Sequence, residues 1–122
     1  RKCPSGFLEA IRMSDFNDLQ ERALEVRQKY NELNNKHGHD KWDGKAFAMG
    51  FVGDVGDLLK LIMAKSNLRD IKGGEVDAKL QHELADCLWS LFVLAAYYGV
   101  DLEASFLKTM DELDARVARG QE

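Results

Sequence analysis

Two apolar runs, each carrying a pair of acids, restrict this chain more than any other feature. The first is GFVGDVGDLLKLIMAK, residues 50–65, with Asp54 and Asp57. The second is ELADCLWS, residues 83–90, with Glu83 and Asp86. In each run the acids stand three residues apart, so a helix presents both on one face. Carboxylates on otherwise apolar helices are costly to bury unless something positive joins them. A divalent metal site between two helices is the expectation.

The rest of the chain keeps the helical period. Phe16, Leu19, Ala23, Val26, Tyr30 and Leu33 recur at spacings of three and four, behind an N-cap at Ser14 or Asp15. A second helix is predicted over 44–65, with Asp43 as its cap. One side of it carries Phe47, Gly50, Asp54, Asp57, Leu61 and Lys65. Val52, Val55, Leu59 and Met63 point the other way, into expected apolar packing. Gly50, Gly53 and Gly56 recur every third residue. Each costs a helix about 1 kcal/mol relative to alanine, so a helix or ligand is expected to approach closely there. A third helix starts near 75–77 and runs to about Tyr98, where Gly99 ends it. Lys79, Glu83, Asp86 and Ser90 share one of its faces, opposite Leu84, Leu88, Leu91 and Ala95. Asp101 then caps a fourth helix with the stripe Leu102, Phe106, Met110, Leu113 and Val117. No segment alternates as a strand does. The expected fold class is all-α, an antiparallel four- to five-helix bundle in one domain over 1–122, with 1–13 as a peripheral N-terminal segment.

Charge and composition exclude several function classes. A net charge of −4, with no block of Lys or Arg, argues against a nucleic-acid surface. Cys3 and Cys87 are too few and too isolated for a disulfide framework and read as free thiols. RKCPSGFLEA lacks the apolar core of a signal peptide. The longest mostly apolar run, 88–100, falls short of the ~20 residues a bilayer span needs. A cytoplasmic protein with no membrane partner is therefore expected. His37 and His39, at i and i+2 in a polar loop without a third ligand, read as solvated residues. His82, a quarter turn off the acidic face, reads as a surface residue. Trp42 either caps the core or stacks on a flat ligand. Arg69 and Lys72, in the loop SNLRDIKGG, suit a phosphate-binding lid or a plain connector.

The chemistry of four acids is that of a hard cation. Mg2+ and Mn2+ take carboxylate oxygens and keep several waters. A di-iron bundle would instead carry E-x-x-H pairs. An all-oxygen Mg2+ site with basic residues nearby suits phosphate chemistry, where the metal bridges phosphate oxygens and offsets developing charge. No P-loop motif is present, and no serine or cysteine nucleophile with a histidine partner stands out.

These residues carry a family resemblance. G-D-V-G-D-L at 53–58, K-L-x-H-E-L-A-D-C-L-W at 79–89 and G-V-D-L-E at 99–103 together resemble the MazG-like all-α nucleoside triphosphate pyrophosphohydrolases. The similarity spans roughly 42–116. It implies an Mg2+-dependent enzyme that cuts a nucleoside triphosphate to the monophosphate and pyrophosphate, in the manner of nucleotide-pool house-cleaning. It also implies a homodimer or homotetramer whose sites draw on more than one chain. Asp54 and Asp57 fall on the two glutamates of the family's E-x-x-E, each about 1.5 Å shorter in reach. Glu83 and Asp86 match its E-x-x-D. The four acids are thus the implied catalytic and metal-binding residues. Lys65 falls where a basic residue commonly follows the second helix. Lys108 and Arg116 fall on the C-terminal helix, where the family places phosphate contacts, and Lys79 is a further phosphate candidate. Trp42 or Phe47 would stack on the base. The shorter aspartates also admit an alternative, a nucleotide-binding or sensing protein of the same fold.

Overall fold

The computed structural model describes residues 15–39, 43–67 and 75–121. Among them are four helices and no strand: α1 Phe16–Lys36, α2 Gly44–Lys65, α3 Val76–Tyr97 and α4 Leu102–Ala118. The all-α class and the helix limits read from periodicity hold to within a residue or two. Ser14, Trp42, Arg69, Lys72 and the peripheral segment 1–13 lie outside the described residues.

Aspartate starts three of these helices for one physical reason. The first amide donors of a helix have no intrahelical acceptor, and a short carboxylate can supply one. Asp15 accepts from the Asp18 amide at 3.0 Å, Asp43 from Ala46 at 2.9 Å and Asp101 from Ala104 at 3.0 Å. Glu75, before α3, makes no such bond. Glycine closes α1 and α3. Gly38 (φ 72°) and Gly99 (φ 68°) take the left-handed conformation. His39 and Val100 then donate back to the Asn34 and Ala95 carbonyls at 2.8 Å.

The α2 and α3 helices form an antiparallel hairpin. The start of α2 meets the end of α3 where Gly44 lies under Tyr97 and Tyr98. The end of α2 meets the start of α3 where Lys65 Nζ donates to Asp77 Oδ1 at 2.5 Å. Phe47, Leu61, Cys87, Phe92, Val93 and Ala95 are buried along or behind this hairpin, and Val93 is fully enclosed. Helix α1 lies against α3. Phe16 meets the Phe92 ring edge-on at 5.2 Å, and Trp89 Nε1 donates to the Ala23 carbonyl at 2.9 Å. The Arg27 guanidinium sits 5.1 Å from the Phe47 ring centroid, tying α1 to α2 as well.

Three helices therefore pack and the fourth departs from the expected bundle. Helix α4 leaves α3 at 108° and packs along none of the others. Its stripe, expected to be a bundle face, is open. Phe106, Met110, Leu113 and Val117 are all exposed. The same holds for the outer face of α2, where Val52, Val55 and Leu59 are exposed, and for Leu84, Leu88 and Leu91 on α3. Helical period fixes which residues share a face; it does not fix whether the same chain covers that face. No single described helix is long and apolar enough to cross a membrane.

Candidate functional site

The hairpin brings the two acidic pairs together. One ligand oxygen each from Asp54, Asp57 and Glu83 lies within 4.8 Å of the other two. Asp54 and Glu83 are half-buried and Asp57 is exposed. One oxygen of Glu83, Oε2, is buried and has no hydrogen-bond partner. Burial, then the charges of Asp86 and Asp57, push the Asp54 carboxyl above the usual carboxylate range. Glu83 is pushed up by burial, then by Asp54, Asp86 and Asp57. Like charges around a partly desolvated oxygen raise the free energy of the ionised state. A cation at the focus of the three would reverse that. The donor set is oxygen only, so Asp54, Asp57 and Glu83 could hold a hard metal ion. The shorter aspartate side chains still converge with Glu83.

Asp86 stands one turn further along α3, outside the group of three. His82 Nε2 lies 3.1 Å from Asp86 Oδ2. His82 is exposed, as its wheel position suggested, yet it partners an acid of the site and partly offsets the raised pKa values of Asp54 and Glu83. Cys87 is buried beside these acids. Burial first, and then Asp54, Glu83 and Asp86, push its thiol up, which disfavours the reactive thiolate.

Two concavities flank the acids. A groove of about 400 Å³ between α2 and α3 is lined by Asp57, Lys60, Leu61, Ala78, Lys79, His82 and Glu83. Lys79 therefore lies in the groove beside Asp57 and Glu83. Lys60 stands with it, 3.9 Å from Asp57 Oδ1. Lys60, three residues after Asp57 and so one turn along the same side of α2, was not singled out from the sequence. Lys65, placed over the same face by the wheel, is engaged with Asp77 at the hairpin end. A second cavity, of about 500 Å³, is bounded by Tyr30, Asn31 and Asn34 of α1, Phe47, Gly50 and Asp54 of α2, and His82, Asp86, Trp89 and Ser90 of α3. Phe47, the expected base-stacking residue, is in this wall, and Trp42 lies outside the described residues.

Lys108 and Arg116 lie on α4 and line neither concavity. His37 and His39 are exposed, with ring centroids 6.4 Å apart, at a distance along the chain from every acid of the site. The residues that sequence reasoning missed are Lys60, Tyr30, Asn31, Asn34 and Trp89. Asn31 and Asn34 carried one usable signal, two polar residues three apart beside the apolar stripe of a helix. No protein-family model matches this chain, and no curated protein matches its sequence.

Proposed function

We propose that this chain is an Mg2+-dependent nucleotide pyrophosphohydrolase of the MazG-like type, with Mn2+ as a substitute metal. The observation that carries the reading is the convergence of Asp54, Asp57 and Glu83 around a buried, unbonded carboxylate oxygen. The two concavities beside it support it, since one offers lysines and the other aromatic rings. Asp54, Asp57 and Glu83 would hold the ion. When bound, Mg2+ would offset the charge on the phosphate oxygens at the bond that breaks.

The chain's own residues divide the remaining work. Lys60 and Lys79 bind the β- and γ-phosphates in the groove. Asp86, outside the group of three and held by His82, accepts a proton from the attacking water. The water oxygen bonds to the α-phosphorus, the α–β anhydride bond breaks, and pyrophosphate leaves with the bond's electron pair. The product is the nucleoside monophosphate. The uncovered apolar faces of α2, α3 and α4 support a homodimer or homotetramer, and α4 would then bring Lys108 and Arg116 to a site on another copy. The reading is of a cytoplasmic enzyme of the nucleotide pool.

The test is incubation with canonical and modified nucleoside triphosphates plus Mg2+, followed by pyrophosphate. Release that is lost in Glu83→Gln and Asp54→Asn is the expected result. No release from any substrate at high enzyme concentration would overturn the reading. Nucleotide-dependent stabilisation without product would mark a binding protein instead.

A further inference from the structure

Helix α1 covers one side of the larger cavity and is lightly built into the fold. Its Tyr30, Asn31 and Asn34 bound about 500 Å³, with Asp54, Asp86 and Ser90 on the hairpin side. Of its 21 residues, only Ala23 and Asn31 are buried. The first is the smallest side chain of the apolar stripe, and the second is polar. Leu19, Tyr30 and Leu33 of the same stripe are exposed. The hairpin instead buries Phe47, Leu61 and Val93. Apolar burial is the largest favourable term in folding, so α1 is held by less of it than α2 and α3 are.

The contacts that fasten α1 are aromatic and polar. Trp89 Nε1 donates to the Ala23 carbonyl at 2.9 Å, and the Phe16 ring meets Phe92 edge-on. The Arg27 guanidinium lies 5.1 Å from the Phe47 ring centroid and 5.8 Å from that of Tyr97. A hydrogen bond or cation–π contact exchanged for water has a small net cost. The chain joins α1 to the hairpin only at the C-terminal end of α1. There Gly38 holds φ 72°, and a Cβ built on it would meet nothing within 4 Å. That end has room to turn, while the Phe16, Ala23 and Arg27 contacts lie towards the other. Elements with little buried apolar surface open first, and lids are drawn from them.

We propose that α1 is a lid. It swings from the hairpin about Gly38 while α2 and α3 stay packed. Its opening uncovers the cavity that ends at Asp54 and Asp86 and admits a ligand there. The inference stands on packing alone and does not require the acids to carry out hydrolysis.

The test reads opening in the ligand-free full chain, at two points that only a moving α1 joins. Ser90 is 3% exposed and lines the cavity, whereas Cys87, one turn earlier on α3, is 9% exposed and lines neither concavity. In Ser90→Cys combined with Cys3→Ser, both remaining thiols are alkylated with iodoacetamide, and each rate is divided by its own rate in urea. The thiol at position 90 should then react at least about tenfold faster than Cys87. A second measurement uses wild type and needs no variant to fold. The Trp89 indole N–H, bonded to Ala23 of α1, is compared with the Val93 amide, whose residue is 0% exposed. Relative to intrinsic rates, the indole should exchange with deuterium at least about tenfold faster.

The inference is overturned if the indole exchanges in step with the Val93 amide, since α1 then leaves only when the whole chain unfolds. It is overturned if position 90 reacts no faster than Cys87, since any motion of α1 then leaves the cavity covered. Fast reaction at position 90 beside a slow indole would overturn it too, because the cavity would be open with α1 in place. Pyrophosphate release bears on neither readout, so the lid and the hydrolase reading stand or fall separately.

Discussion

One oxygen of Glu83 is buried without a donor while Asp54 and Asp57 crowd the same space. Two predictions belong at this scale. Glu83→Gln removes a like charge, so the metal-free variant should melt above wild type, while its response to Mg2+ should vanish. Wild type at a hundredfold excess of Mg2+ over Kd should gain about 2.7 kcal/mol, read as the shift in thermal melting with and without the ion. The second prediction concerns pH. Asp54 and Glu83 both have folded pKa values above their unfolded ones. The folded chain therefore binds more protons than the unfolded chain between the unfolded and folded pKa values, and metal-free stability falls as pH rises through that window. Stabilisation by Mg2+ should grow over the same interval. A flat or rising metal-free melting curve across the acid range would contradict the pairing. The i, i+3 acids were legible because spacing on a helix is fixed. The His82–Asp86 pair is equally local, i to i+4 on one helix; that Asp54, Asp57 and Glu83 bring three oxygens together depends on how two helices are set against each other.

At the scale of elements, the glycines of α2 separate into two kinds. A Cβ on Gly44 would lie 2.6 Å from Tyr98 Oη and 2.7 Å from the Tyr97 ring, so the hairpin closes only without it. Gly44→Ala should destabilise the chain by about 1–3 kcal/mol, measured by urea unfolding. Gly53 and Gly56 meet nothing within 4 Å. At these two positions the close approach expected of the glycine row is not made among the described residues. In a monomeric background, Gly53→Ala should gain about 1 kcal/mol of helix stability. In the proposed homo-oligomer, a loss instead would locate the second copy on that face. Caps and periods were legible because they are local; the Asp43 and Asp101 caps act within three residues of themselves. The partner of Lys65 was not legible for the same reason. The wheel gave its face, but Asp77, twelve residues on, sets where its ammonium goes.

For the whole molecule, the open stripe of α4 is the surface on which the proposed assembly would rest. Contiguous apolar faces of this kind mark a surface that another body covers, and a second copy of the chain fits the proposed family. Phe106→Asp and Leu113→Asp should shift the protein to monomer in light scattering while α1–α3 stay folded by circular dichroism. If Lys108 and Arg116 act across the interface, both variants should also lose at least about tenfold in kcat/KM. Mixing Phe106→Asp with an acid-deficient Glu83→Gln chain should not restore activity, because the first cannot dock and the second cannot hold metal.

The sequence by itself determined the class of this protein and the chemistry available to it. Helical period, aspartate caps, terminating glycines and the spacing of the acids are all local, and local geometry is written in neighbouring residues. The tertiary structure decided what meets what: Glu83 with Asp54 and Asp57, Lys60 with the groove, Asn31 and Ser90 with an aromatic cavity, and α4 with none of the other helices along its length. Those pairings are set by how rigid helices pack, and packing joins residues that are far apart in the chain.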